Sequence, residues 1–194
     1  MRIAITGNIG SGKSYVCQLF KQLGIPVFDS DLEAKRLYDR PEIKRRMVER
    51  FGSNIYHEDG TLDRRAMASK VFADSCALGY VESVLYPALN AHFAEWADLQ
   101  EAPYVLYESA LIFEKHLEGM FDAVIVVAAS EEVRIRRVMA RDHCTEEQVR
   151  ARMALQLPQS EKVTNADYDI VHDVDDEDEA LMKQIRRIHS EISK

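Results

Sequence analysis

The chain has 194 residues, of which 46% are hydrophobic and 30% are charged, and its formal net charge is -8. This length suffices for one substantial hydrophobic core, and no apolar stretch reaches the roughly 20 residues that a membrane span needs. An acidic chain lacks the broad basic surface of a nonspecific nucleic-acid binder, so we expect neither nucleic acid nor a membrane among its partners.

The N-terminal sequence and the cysteines indicate where the protein works. MRIAITG lacks the long apolar core of a signal peptide, and Cys17, Cys76 and Cys144 form neither a CxxC pair nor a cluster with histidines. We therefore expect a cytoplasmic protein with reduced thiols, in which Cys17 belongs to the core. The sequence leaves the oligomeric state unknown.

Short apolar runs alternate with longer amphipathic segments, which is typical of an α/β fold with a parallel sheet. Five strands are predicted, at residues 3–6, 26–29, 104–108, 123–129 and 168–171. The segment from about 31 to 100 looks mostly helical, and 130–157 is interpreted as two helices broken near 143–145. A closing helix is expected at 175–192, and the whole chain, 1–194, is interpreted as a single domain.

An acidic run, DVDDEDE at 173–179, precedes most of this closing helix. Carboxylates near a helix N-terminus interact favourably with the helix dipole, so a solvated run is favoured over a metal site.

The sequence GNIGSGKS, from Gly7 to Ser14, matches the pattern G-x-x-x-x-G-K-[ST] between a predicted strand and a predicted helix. Small residues allow the backbone N–H groups of such a loop to surround phosphate oxygens. Lys13 is expected to reach the terminal phosphates, and the Ser14 hydroxyl to bind Mg²⁺. The loop therefore predicts a bound nucleoside triphosphate, held by Gly7, Asn8, Ile9, Gly10, Ser11, Gly12, Lys13, Ser14 and Tyr15.

Several classes of nucleotide-binding protein remain to be separated. The chain contains neither an NKxD nor a DxxG string, which argues against a GTPase switch, and a small-molecule kinase is favoured. Two alternatives stay open: a nucleoside or nucleotide kinase of the same fold, and a regulatory module that binds ATP without an acceptor.

Acidic side chains end two of the predicted strands. Asp29 and Asp31 come at the carboxyl end of the second strand, where open α/β sheets bind ligands. Asp31 is the candidate base for an acceptor hydroxyl, although it could instead cap the helix that follows. Glu108 ends the third strand, where a carboxylate can help to hold Mg²⁺ through water.

A group of arginines follows the fourth strand. Arg134, Arg136, Arg137 and Arg141 fall on one predicted helix, and Arg137 and Arg141 share a face because they are four residues apart. We expect a helical lid at about 134–160 whose Arg137 and Arg141 neutralise triphosphate during transfer. The alternative is a solvated face paired with Glu131, Glu132 and Glu147.

Over nearly its whole length the chain resembles the dephospho-CoA kinase family. The segments that carry the resemblance are ITGNIGSGKS, GIPVFDSDLEAKRL, LDRRAMASKVF, LYPALNAHF, ALIFE, VRIRRVMARD and NADYDIVHD. The resemblance implies a three-layer P-loop kinase fold with a helical acceptor-side region at about 31–100 and a helical lid. It also implies that ATP phosphorylates the ribose 3′-hydroxyl of dephospho-CoA.

The resemblance extends to individual residues. It implies that Asp31 is the base, that Asp29 and Arg64 lie on the substrate side, and that Arg137 and Arg141 serve the ATP phosphates. The chain departs from the family pattern at four positions, which are Asn8 for glycine, Tyr86 for histidine, Ala110 for proline and His172 for asparagine. Tyr86 stands at an acceptor-side contact and His172 near adenine. We expect Asn8 to preserve the turn because asparagine tolerates a left-handed backbone.

Overall fold

The computed structural model describes residues 1–74, 76–173 and 179–194. Two compact units are present, one made of residues 1–29 and 100–194 and the other of residues 30–99. Most of the acidic run and the first residues expected in the closing helix, 174–178, lie outside the described residues. The interpretation of the chain as a single domain stays a prediction.

Secondary structure follows the alternation of apolar and amphipathic segments. The strands are β1 (Arg2–Thr6), β2 (Val27–Asp29), β3 (Val105–Glu108), β4 (Ala123–Ala128) and β5 (Tyr168–Val171). The helices are α1 (Lys13–Gln22), α2 (Ser30–Leu37), α3 (Pro41–Phe51), α4 (Arg64–Ala73), α5 (Ala77–Asp98), α6 (Glu131–Asp142), α7 (Glu146–Met153), α8 (Gln159–Asn165) and α9 (Glu179–Ile192). No helix in the described part of the chain is long and apolar enough to cross a membrane.

The first unit is built on a five-stranded parallel sheet of order β2-β3-β1-β4-β5. In the register of this sheet Ile5 lies beside Glu108, and Glu108 lies beside Asp29. The carboxyl ends of β1, β2 and β3 therefore meet at one edge of the sheet. The α/β class and the five-stranded parallel sheet predicted from the sequence are confirmed.

Helices α1 and α9 pack on the sheet through regular apolar stripes. Val16, Leu19 and Phe20 of α1 are buried, as their spacing predicts, and α9 buries a second stripe in the same core. Ile3 and Ile5 of the central strand are fully buried in this core, which also contains Cys17. The predicted position of Cys17 is confirmed, and all three cysteines are free thiols.

The second unit is helical, as predicted, and has its own core. Ile43, Met47 and Phe51 recur every four residues along α3 and are buried with Met67 of α4 and Val84 of α5. The four-residue spacing places the α3 side chains on one face, which is why a short charged helix can bury them.

The sequence located all five strands to within one residue and the helix break near His143. His143 ends α6 in a left-handed conformation, and Thr145 begins α7 with a capping box. Helix α8 was not predicted, since it is short and its buried side chain is a lysine, Lys162, rather than a periodic set of apolar residues.

Candidate active site

The phosphate-binding loop runs from the end of β1 into the first turn of α1. Gly10 and Gly12 have φ angles of 81° and 87°, in the left-handed region that favours glycine. A Cβ atom at Gly10 would collide with the backbone oxygen of Arg134, so a side chain there is excluded by lack of space as well. These glycines allow the backbone to wrap tightly before the N–H groups at the start of α1.

Asn8 does not have the backbone role expected from the sequence. In the described part of the chain the non-glycine residues with positive φ are His116 and His143. The left-handed turns of the loop are made at Gly10 and Gly12, so the tolerance of asparagine for such a turn is not used. Asn8 is 5% exposed, and its side-chain amide nitrogen donates to the backbone oxygen of Leu157 at 2.8 Å.

Lys13, Ser14 and Glu108 meet at the edge where β1 and β3 end. Lys13 Nζ lies 2.6 Å from Glu108 Oε1, and the Ser14 hydroxyl donates to the same oxygen at 2.8 Å. Burial disfavours the charged form of Glu108, but the Lys13 ammonium and hydrogen bonds from Lys13, Ser14 and Cys17 outweigh burial, so the pKa of Glu108 is lowered. A carboxylate, a hydroxyl and an ammonium group thus lie beside the loop that is shaped for phosphate.

The same residues suit a magnesium ion that is shared with a nucleotide. Mg²⁺ prefers oxygen ligands and is usually bound by one or two protein groups together with phosphates and water. Ser14 and Glu108 supply such oxygens, whereas no group of three His, Cys, Asp or Glu side chains among the described residues could hold a metal alone. Ser14 and Glu108 therefore fit an ion that is bound together with a nucleotide, rather than one held by protein groups alone.

Tyr15 and His172 form an aromatic wall beside the loop. Their rings stack with centroids 5.4 Å apart and planes 19° from parallel. His172 follows β5 and lies so close to Gly12 that a Cβ atom there would collide with Nδ1 of its ring. The residue predicted near adenine is therefore placed directly against the phosphate-binding loop.

The arginines of α6 lie in different environments. Arg134 is 7% exposed and donates from Nε to the oxygen of Ala129 at 3.1 Å, and burial lowers its pKa despite the opposing influence of Glu131. Arg137 donates from Nη1 to the oxygens of His172 at 2.9 Å and Gly10 at 3.5 Å. Arg137 thus contacts the loop, whereas Arg134 bonds to the backbone that follows β4.

Arg141 is turned towards the protein surface and forms an ion pair. Its Nε and Nη2 atoms donate to Asp142 at 2.7 and 3.1 Å, and its side chain is 63% exposed. Asp142 also accepts from Arg152 of α7 at 2.6 Å. The shared helix face of Arg137 and Arg141 did not reveal this carboxylate neighbour, which holds Arg141 and Arg152 together.

Asp31 lies in the second unit, near the start of α2. The helix begins at Ser30, so Asp31 is inside its first turn rather than at the N-cap position that the alternative interpretation requires. Asp31 is exposed, and Asp29 is the last residue of β2 in the first unit. Glu33, in the same turn as Asp31, accepts from Arg36 and contacts His92.

Arg64 is the first residue of α4 and lines an open pocket of about 600 Å³ in the second unit. The pocket walls include Tyr38, Leu62, Met67 and Val71. Tyr86 lies half-buried in the middle of α5. A pocket lined by both a basic group and apolar side chains can receive a long ligand that has both charged and apolar parts.

A buried ion pair that involves α8 could not be found from the sequence. Lys162 of α8 is fully buried, and its Nζ lies 2.6 Å from Glu114 Oε1 and 2.9 Å from the oxygen of Ala110. Burial lowers the pKa of Lys162 although Glu114 favours its charged form. No local pattern pairs these residues, because they belong to segments far apart in the chain.

Comparison with known proteins identifies relatives along almost the whole chain. The family model described as "Dephospho-CoA kinase" matches residues 1–178. A dephospho-CoA kinase of Thermus thermophilus is 43% identical over 162 residues, which cover 82% of this chain and 77% of the relative. One of Idiomarina loihiensis is 32% identical over 188 residues, covering 96% and 92% of the two chains.

Solved structures have the same fold. A crystal structure of a Thermus thermophilus protein has a TM-score of 0.85 at 36% identity and covers 98% of this chain and 97% of its own. A dephospho-CoA kinase from Campylobacter jejuni has a TM-score of 0.72 at 24% identity, covering 99% and 96%. A shikimate kinase from Bacteroides thetaiotaomicron has a TM-score of 0.52 at 15% identity, covering 100% and 99%. The last two likenesses concern the fold alone, and they agree with the three-layer P-loop kinase fold expected from the sequence.

Proposed function

Because the chain belongs to the dephospho-CoA kinase family, we propose that it transfers the γ-phosphoryl group of ATP to the ribose 3′-hydroxyl of dephospho-CoA. The products are coenzyme A and ADP, and the reaction completes coenzyme A synthesis. The observation that best supports the proposal is that Lys13 and Ser14 meet Glu108 beside the phosphate-binding loop. This arrangement supplies a cation, a hydroxyl and a carboxylate where a nucleoside triphosphate is held.

The loop and α1 bind the ATP phosphates. Backbone N–H groups between Gly7 and Tyr15 surround the phosphate oxygens, and the positive end of α1 favours their charge. Lys13 exchanges its contact with Glu108 for the terminal phosphates, which releases the Glu108 carboxylate. Tyr15 and His172 present their stacked rings to the nucleotide near adenine.

Ser14 and Glu108 hold Mg²⁺ together with the nucleotide. Mg²⁺ held by Ser14 and Glu108 would neutralise negative charge on the phosphate groups during transfer. Glu108 is suited to this role because one of its carboxylate oxygens already accepts a hydrogen bond from Ser14, the other proposed ligand.

The residues that we propose for binding the acceptor are Asp29, Asp31, Arg64 and Tyr86. Asp31 accepts the proton of the ribose 3′-hydroxyl and orients that oxygen for attack on the γ-phosphorus, while Asp29 and Tyr86 help to position the substrate. Arg64 interacts with the phosphate groups of dephospho-CoA, and the apolar walls of its pocket suit the rest of the chain-like substrate.

The segment at about 134–160 acts as a lid over the triphosphate. The contact of Arg137 with the backbone of the loop at Gly10 supports this role for Arg137. Arg141 leaves Asp142 to join it when ATP is bound. Both guanidinium groups then stabilise the transferring phosphoryl group, which is the largest electrostatic demand of the reaction. We place this reaction in the cytoplasm.

Release of ADP on adding dephospho-CoA to the purified protein with ATP and Mg²⁺ tests the proposal. Lys13→Ala should lower the rate at limiting ATP by at least about a hundredfold, because it removes a charge that acts on the transferring group. Lys21→Ala is the matched control, since Lys21 lies in the exposed last turn of the same helix, and its rate should match the wild type. Absence of dephospho-CoA-dependent ADP would refute the proposal.

A further inference from the structure

The connection between α7 and α8 is tied to the phosphate-binding loop by two hydrogen bonds. The Asn8 amide nitrogen donates to the oxygen of Leu157 at 2.8 Å, and the backbone nitrogen of Ile9 donates to Gln156 Oε1 at 2.9 Å. Gln156 and Leu157 lie at the carboxyl end of the segment expected to form the lid. We call residues 154–158 the lid hinge.

The bond from Asn8 depends on its amide rather than on its backbone. A carbonyl oxygen only accepts hydrogen bonds, so the backbone oxygen of Leu157 must bond to the NH₂ group of the Asn8 amide. This bond fixes the orientation of that amide. Asn8 is buried and its φ angle is negative, so alanine can take the same backbone conformation. Neither alanine nor glycine has a side-chain donor for Leu157.

The other side of the same hinge residue is held by Glu114. The Leu157 nitrogen donates to Glu114 Oε1 at 3.1 Å, and the buried Lys162 ammonium fixes this oxygen from 2.6 Å. Both backbone polar groups of Leu157 are therefore bonded to side chains from distant segments. Leu155, in the same hinge, is 83% exposed, so the specific bonds at Leu157 hold a segment that is otherwise open to solvent.

We propose that Asn8 is a positioning residue that couples the phosphate-binding loop to the lid hinge through Leu157. Triphosphate that orders the loop then also orders the hinge, because Asn8 and Ile9 belong to the loop and bond to the hinge directly. Without the Asn8 amide the hinge opens more readily and closure of the lid over ATP becomes less favourable. The kinetic part of this inference rests on the proposed function, whereas the coupling in the protein without nucleotide does not.

Hydrogen exchange of the full-length protein without nucleotide tests the coupling. In Asn8→Ala, exchange of the Gln156 and Leu157 amides should be about fivefold faster than in the wild type, the factor that one ordinary hydrogen bond supplies. Asn8→Gly should give the same result if loss of the amide is the cause. Gln184→Ala is the matched control, since the Gln184 amide also donates to a backbone oxygen, that of Val171, outside the loop and lid hinge.

Steady-state kinetics provide the second measurement. Asn8→Ala should raise the KM for ATP by about fivefold and leave the KM for dephospho-CoA unchanged, because the lost bond lies on the nucleotide side. The inference would be overturned if the amides of the lid hinge exchanged in Asn8→Ala at the wild-type rate. It would also be overturned if exchange were faster in Asn8→Gly but not in Asn8→Ala, because the effect would then come from the backbone freedom of glycine. Equal acceleration in Gln184→Ala would also overturn it. If amide exchange at the lid hinge were faster in Asn8→Ala but the wild type did not phosphorylate dephospho-CoA, the coupling would stand and the proposed function would be refuted.

Discussion

The hydrogen bonds and the lowered pKa of Glu108 depend on residues that are distant in sequence. It ends β3, while Lys13 and Ser14 begin α1, and parallel strands bring these positions to one edge of the sheet. The sequence predicted each of the three residues separately, because strand ends and the loop pattern are local signals. The shared Glu108 oxygen could not be predicted, since it depends on the register of β1 and β3.

The role of Asp31 is tested by Asp31→Asn. The substitution keeps the size of the side chain but removes a proton acceptor, so kcat should fall by at least about a hundredfold. The affinity for ATP, measured by titration, should stay within about twofold of the wild type, because the base acts on the acceptor hydroxyl.

Glu33→Gln is the control for this substitution, since it removes a neighbouring carboxylate from the same turn of α2. Its kcat should remain near the wild-type value. Near-normal turnover of Asp31→Asn would leave Asp31 with only its favourable interaction with the helix dipole.

The lowered pKa of Glu108 predicts how stability depends on pH. A carboxylate whose pKa is lower in the folded than in the unfolded protein stabilises the fold above its ordinary pKa of 4.5 and loses that contribution as pH falls through the lower value. Urea unfolding of the wild type and Glu108→Gln should therefore show a constant difference in unfolding free energy from about pH 7 to the ordinary carboxyl pKa.

Below that pH the advantage of the wild type should shrink, since Glu108 becomes protonated and resembles glutamine. A difference that grows as pH falls would show that Glu108 is harder, not easier, to ionise in the folded protein.

Helix α6 illustrates what a single element can and cannot reveal. Its periodicity placed Arg137 and Arg141 on one face of the helix. Periodicity does not predict which group a side chain contacts, and the two arginines have different partners in the structure. Arg134 looked like a further member of the group, yet it is buried against Ala129. Short-range patterns therefore predicted the helix that carries the arginines, whereas the different partners of these arginines, Ala129, His172 and Asp142, are visible only in the structure.

Asp142 competes with ATP for Arg141 if the lid works as proposed. Asp142→Asn removes the charge that holds Arg141 and Arg152, so ATP should bind more tightly by up to about fivefold, which is the upper range for exposed ion pairs. Titration of the protein with ATP measures this effect.

Glu146→Gln is the matched lid variant, because Glu146 pairs with Arg150 instead of Arg141. It should change ATP affinity less than Asp142→Asn does. Equal gains in both variants would attribute the effect to the overall charge of the lid, and unchanged affinity in Asp142→Asn would contradict the proposed release of Arg141.

At the scale of the whole molecule, local patterns predicted the elements and left their arrangement open. Buried strands are apolar runs, so their positions were predicted to within one residue, but the order β2-β3-β1-β4-β5 depends on pairings between distant segments. The same reason explains why the Arg64 pocket, the Lys162 ion pair and the contact from Asn8 to Leu157 were not predicted. Each is formed by residues that no single sequence window contains.

The most direct test of the central claim is an acceptor panel with ATP labelled at the γ-phosphate. Purified protein with Mg²⁺ is offered dephospho-CoA, nucleoside monophosphates, nucleosides or no acceptor, and the position of the label in each product is determined. We expect label on the ribose 3′-oxygen of coenzyme A, formed from dephospho-CoA in strong preference to the other acceptors. Labelled nucleotides as the main product, or ATP binding without transfer to any acceptor, would contradict the proposed function.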